Sequence, residues 1–149
     1  MEATTMNPSF KKPLMAIAAA TLMTGILVGG TALANAPMKA DLSGVQEVPP
    51  VKSPATGAGT IVVGDDKSVS GSIKTSGMTG TAAHVHEGAK GKNGPPIIIL
   101  TQSSTNEWVI PPGARLTDEQ YQSLKDGNLY INVHSDAHKG GEIRAQLNP

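Results

Sequence analysis

From Ala40 to its C-terminus the chain is written in short runs of β-forming residues, broken by glycine or proline every eight to twelve residues, the pattern of an antiparallel sandwich or barrel. Strands are expected near Met38–Leu42, Gly57–Val63, Ser68–Thr75, Ala82–His86, Pro96–Leu100, Glu107–Ile110, Asn128–His134 and Gly141–Leu147. One stretch breaks the pattern. Leu116 to Gly127 carries a full set of helix signals: Thr117 as N-cap with Gln120 completing a capping box, Leu116 and Tyr121 at the staple positions, and Gly127 as the left-handed residue that ends the helix. A short helix is therefore expected to pack on an otherwise β domain through Tyr121 and Leu124. The proline-rich segment Gln46 to Ala55 reads as a stiff connector, and Gly88 to Pro96 as a loop directly behind a strand end.

The N-terminal residues stand apart from this pattern. Lys11 and Lys12 form a basic start, Pro13 to Gly30 is apolar and uncharged, and Thr31-Ala-Leu-Ala34 closes with small residues at the cleavage positions. Residues 1–34 are expected to be a secretory signal peptide, with an uncleaved N-terminal anchor as the alternative, since the apolar run is about long enough to span a bilayer. Residues 35–149 would then form one domain, large enough for a core without staples. An exported domain with no cysteine must be held by packing alone. A periplasmic or secreted location follows, without membrane attachment once the leader is removed.

Taking Glu2, Lys11 and Lys12 out of the twelve acidic and twelve basic residues leaves eleven against ten. A domain so nearly neutral gives no electrostatic case for nucleic acid or anionic membrane as a partner. Trp108, Tyr121 and Tyr130 are its only aromatics beside the histidines, too sparse for a stacking platform. No Gly-x-Ser-x-Gly elbow and no phosphate-binding loop occurs.

The chemistry lies in the histidines, four in all and in two tight pairs: His84 and His86 in Ala-Ala-His-Val-His-Glu, and His134 and His138 in Asn-Val-His-Ser-Asp-Ala-His-Lys. Side chains two apart on a strand share a face, so His84 and His86 point together while Val85 points away. In the later strand Leu129, Ile131 and Val133 alternate toward the core, leaving Tyr130, Asn132 and His134 on the opposite face. If the two strands are neighbours, three or four imidazoles converge, with His138 arriving from the following turn. An imidazole site without thiolate suits Cu(II), Zn(II) or Ni(II); copper binds most tightly of these, and zinc is its main competitor. Glu87, Asp136 and Glu142 lie close enough in sequence to orient such ligands. Met38 and Met78 form no thioether cluster. Arg144 reads either as an anion guide or as half of a cross-strand ion pair with Glu87 or another acid.

Leu42-Ser-Gly-Val-Gln-Glu-Val-Pro-Pro-Val51, Ala83-His-Val-His-Glu-Gly88 with Asn93-Gly-Pro95, Leu116-Thr-Asp-Glu-Gln120, Gly127-Asn-Leu-Tyr-Ile-Asn-Val-His134 and Gly140-Gly-Glu-Ile-Arg-Ala-Gln-Leu147 together resemble a CHRD domain, in order and over essentially the whole of residues 35–149. The resemblance implies an all-β, immunoglobulin-like Greek-key antiparallel β-sandwich. For function it implies a binding module, with a copper role proposed for bacterial members, and it carries the family's histidines onto His84, His86 and His134. A shorter likeness links His84-Val-His-Glu87 to the copper-ligand strand of copper-zinc superoxide dismutases, although this chain lacks their disulfide and zinc loop. The expected function is an exported copper-binding protein that captures, stores or delivers the ion, with His84, His86, His134 and His138 as metal ligands. The alternatives are a metal-independent module for an extracytoplasmic protein partner and a dismutase-like copper oxidoreductase.

Overall fold

The computed structural model describes Met1 and residues 37–149; apart from Met1, the expected leader lies outside the described residues. Among the described residues no helix is long and apolar enough to cross a membrane. Nine strands form the domain: β1 (Pro37–Ser43), β2 (Thr56–Val63), β3 (Val69–Ser76), β4 (Ala82–Glu87), β5 (Pro96–Ile99), β6 (Thr101–Ser104), β7 (Glu107–Val109), β8 (Leu129–His134) and β9 (Ile143–Leu147). All pair antiparallel in one sheet of order β5-β4-β8-β9-β1-β2-β3-β7-β6. The two edge strands, β5 and β6, are separated in sequence by Leu100 alone, whose amide donates to the Ala83 carbonyl at 2.9 Å. One residue thus joins both ends of the sheet, which is nearly closed on itself. The architecture is the all-β antiparallel sandwich expected, with barrel-like closure.

The core follows from period-two alternation. Met38, Ala40 and Leu42 of β1 are buried while Lys39 and Asp41 are exposed, and Ile61, Ile73, Val85, Ile131 and Ile143 meet them from the facing strands. The sequence reading missed β6. Its four residues are all exposed and polar, so no alternation marks them, and their extended form comes from pairing with β7.

The helix forms where its signals lie, as α1 (Asp118–Lys125). The Gln120 amide donates to Thr117 Oγ1 at 3.2 Å, and the Thr117 amide donates to Gln120 Oε1 at 2.9 Å. Leu124 is buried beneath it, and Gly127 takes the left-handed conformation at φ 71°.

Strand β8 is the exception to one-sided burial. Every residue from Leu129 to Val133 is buried, so both faces are covered. The second cover comes from two loops. Residues after β1 fold back through the Val51 amide, which donates to the Gly44 carbonyl at 2.9 Å, and this buries Glu47. The Gly88–Pro95 loop is tied to that segment by Asn93, whose side-chain amide donates to the Val48 carbonyl at 2.6 Å. Polar side chains on the outer face of β8 are thereby sealed away from water on one side and left half-open at the His134 end.

Candidate metal centre

Strands β4 and β8 are neighbours, in a register that sets His86 opposite Tyr130, His84 opposite Asn132 and Ala82 opposite His134. Alternation puts these six side chains on one face. The small Ala82 leaves room beside His134, whose ring comes to 4.8 Å from that of His84, centroid to centroid. His84 Nδ1 and His134 Nε2 stand 3.0 Å apart, and one ring nitrogen from each of His84, His86 and His134 falls within 4.8 Å of the others. Two nitrogens each about 2.0 Å from one ion, at 90° to 110°, lie roughly 2.9–3.4 Å apart. The His84–His134 pair has that spacing. Bringing all three rings onto one ion requires a separation of up to 4.8 Å to close by roughly 1.5–2 Å.

The rings are also set in tautomer. His86 Nδ1 lies 2.9 Å from the Gly94 carbonyl, and His134 Nδ1 lies 2.9 Å from the Lys139 carbonyl. A carbonyl only accepts, so both Nδ1 atoms carry the proton and donate. In the neutral ring each Nε2 then carries a lone pair, the form in which imidazole binds a metal; that of His134 accepts from His84 Nδ1 at 3.0 Å when no ion is bound. His86 Nε2 is buried and has no hydrogen-bond partner among the described residues. An orphaned buried acceptor costs about 1–3 kcal/mol, and a cation at the centre of the cluster would satisfy it. The residues present fit a metal ion of the imidazole-binding class.

Burial, with the neighbouring His134 and His86 rings, holds the His84 imidazole below the usual histidine range. Burial does the same for His86, against the opposing pull of the Gly94 carbonyl. The native state therefore binds fewer protons here than the unfolded chain. Above the ordinary histidine value of 6.5 both states are neutral and nothing is lost. As pH falls through that value the unfolded chain takes up protons first, and stability drops until the native rings titrate. The urea midpoint of metal-free protein is expected to fall between pH 7 and pH 5 and to stay flat from 7 to 8. A flat profile throughout would contradict the assignment.

Behind His86 the face continues as a stack. The Tyr130 ring lies parallel to His86 at 4.7 Å and 6°, and the Arg144 guanidinium covers the other side of Tyr130 at 3.4 Å. Arg144 donates to Asn93 Oδ1, the Ala89 carbonyl and Gln146 Oε1 at 3.3, 3.4 and 3.1 Å. It is neither the exposed anion guide nor the ion-pair partner considered from the sequence. At 1% exposure it has no acid within salt-bridge distance among the described residues, and Glu87 accepts instead from the Ser123 hydroxyl.

His138 does not join the other three. The turn holding it is closed by its own amide, which donates to Ser135 Oγ at 3.2 Å, and by Gly141, which donates to the His138 carbonyl at 3.0 Å. It borders a cleft with Pro49, Asn93 and Gly140. Against the upward push of burial, hydrogen bonds from Ser135 and Ser53 hold the Glu142 carboxyl low. The acids expected to orient the ligands do not do so. Glu142 accepts from Ser53, Glu87 from Ser123, and Asp136 is exposed; the orienting acceptors are the Gly94 and Lys139 carbonyls. Backbone acceptors carry no side-chain signature, so no residue type flagged them. Tyr130 was visible on the correct face, but its stacking on His86 was not.

A search of curated proteins and of solved structures finds no match. The family model for the CHRD domain matches residues 38–147, a span that takes in β1 through β9, both covering loops and the three clustered histidines. With nearly the whole described domain inside that match, the chain belongs to the CHRD domain family.

Proposed function

We propose that this domain binds one copper ion through His84, His86 and His134 and serves to capture, store or deliver copper outside the cytoplasm. The observation that carries the reading is the cluster itself: three ring nitrogens within 4.8 Å, two of them with lone pairs freed because carbonyls hold the opposite ring nitrogen. The donor set is all imidazole, in a chain that has no cysteine, and the affinity order of divalent metals then favours copper over zinc. The extracytoplasmic setting is supported by the leader pattern of residues 1–34.

A site formed only in the native state raises stability by about 2.7 kcal/mol when free ion is a hundredfold above its Kd. For a domain of this size that is a rise in Tm of about 10 °C. Cu(II) held by a weak chelator at a free concentration a hundredfold above the Kd is expected to give such a rise with metal-free protein. An unchanged Tm would overturn the reading, and a larger rise with Zn(II) would reassign the ion.

A further inference from the structure

Beyond the histidine cluster, the loop-covered face of the sheet holds a cavity of about 410 Å³. That is within the range of small-molecule sites, roughly 300–1,000 Å³. Its walls are apolar, from Val45, Val48 and Pro50, and Val45 is 76% exposed, an unusual place for a branched aliphatic residue. Its floor is Arg144 and its rim carries Lys90.

The floor is what calls for a ligand. Arg144 is buried, yet its three hydrogen-bond partners are all neutral: an amide oxygen from Asn93, one from Gln146 and the Ala89 carbonyl. Neutral acceptors satisfy its geometry without cancelling its charge. A guanidinium in a low-dielectric setting projects its field farther than one in water, and an apolar-walled cleft focuses it. The acid bordering the same cavity is Glu47, which is 4% exposed and turned to accept from Asn132. Burial pushes the Glu47 carboxyl up while its hydrogen bond with Asn132 and the Arg144 charge pull it back, so Glu47 offsets part of the guanidinium's charge from a distance without pairing with it. Lys90, exposed at the mouth, adds to the positive side.

We propose that this cavity binds a small organic carboxylate, its charged end drawn to Lys90 and the Arg144 floor and its apolar body lying against Val45, Val48 and Pro50. The site is independent of the metal reading, since none of these residues belongs to the histidine cluster.

The test is a titration of ¹⁵N-labelled protein with sodium octanoate, with 1-octanol as the uncharged match in length. Octanoate is expected to shift the amides of Val45, Val48 and Gly91 saturably, with octanol at least tenfold weaker. Lys90→Glu, on the exposed rim where folding is not at stake, is expected to weaken octanoate at least tenfold. No saturable shift at millimolar octanoate would overturn the proposal. So would octanol binding as tightly as octanoate, or Lys90→Glu binding as well as the wild type.

Discussion

Gly94→Ala is expected to lower the unfolding free energy by about 2–4 kcal/mol, the range reserved for substitutions with a named steric cause. It is also expected to weaken metal binding at least tenfold, the lower end of the cost of losing a ligand's hydrogen-bonded support. A methyl group at Gly94 would lie 1.6 Å from the Glu87 carbonyl oxygen and 2.7 Å from its carbon. Both atoms are backbone within a paired strand and cannot swing aside. The loop would have to lift, and four contacts go with it. The Gly94 carbonyl would leave His86 Nδ1, its amide would leave the Tyr130 hydroxyl at 3.2 Å, and Asn93 next door would lose its hold on Val48 and Arg144. Gly140→Ala is the control, because a methyl there meets nothing within 4 Å. Urea unfolding and a copper titration of the two variants measure both effects. If Gly94→Ala matched Gly140→Ala, the loop would not be what positions His86.

Arg144→Met is expected to destabilise the domain by a comparable amount, about 2–4 kcal/mol, although it conserves volume and adds apolar surface. The cost lies in what is left behind. Asn93 Oδ1, the Ala89 carbonyl and Gln146 Oε1 would all lose a charged donor inside the protein, and Tyr130 would lose the cation stacked on its ring. A desolvated cation–π contact alone is worth about 2 kcal/mol, and hydrogen bonds to charged groups about 1.5–3 kcal/mol each, without simple additivity. Arg144→Lys should recover only part of the loss, since an ammonium neither stacks flat nor forks to three acceptors. Thermal or urea unfolding of both variants decides this. A methionine variant as stable as the wild type would mean that the three acceptors find water and that the stack contributes nothing.

These two sites also mark where sequence reading stopped. Period-two alternation suffices to put His84 and His86 on one side of β4, and Tyr130, Asn132 and His134 on one side of β8, because a strand has only two faces. Neighbouring strands then bring three histidines together with no further assumption than β4 pairing with β8. His138 was beyond that logic. It sits in a turn, where side-chain direction follows from local dihedrals and from closing hydrogen bonds, and Ser135 and Gly141 close that turn outside the three-histidine cluster. The orienting role given to Glu87, Asp136 and Glu142 failed for a related reason. Nearness in sequence favours acids, whereas the Gly94 carbonyl reaches His86 because the covering loop has a glycine packed on the Glu87 backbone. Strand β6 was illegible because it lacks any buried side chain, so only its partner β7 defines it. Arg144 on β9 reads from the sequence as an anion guide or half of an ion pair, since nothing local reveals that two loops close over that face.

The most direct test of the central claim is a Cu(II) titration of metal-free protein followed by electron paramagnetic resonance, on wild type, His84→Ala and His138→Ala. The account predicts one equivalent of nitrogen-ligated copper in the wild type, a signal altered or abolished in His84→Ala, and an unchanged signal in His138→Ala. No stoichiometric signal, or one indifferent to His84→Ala, would contradict it.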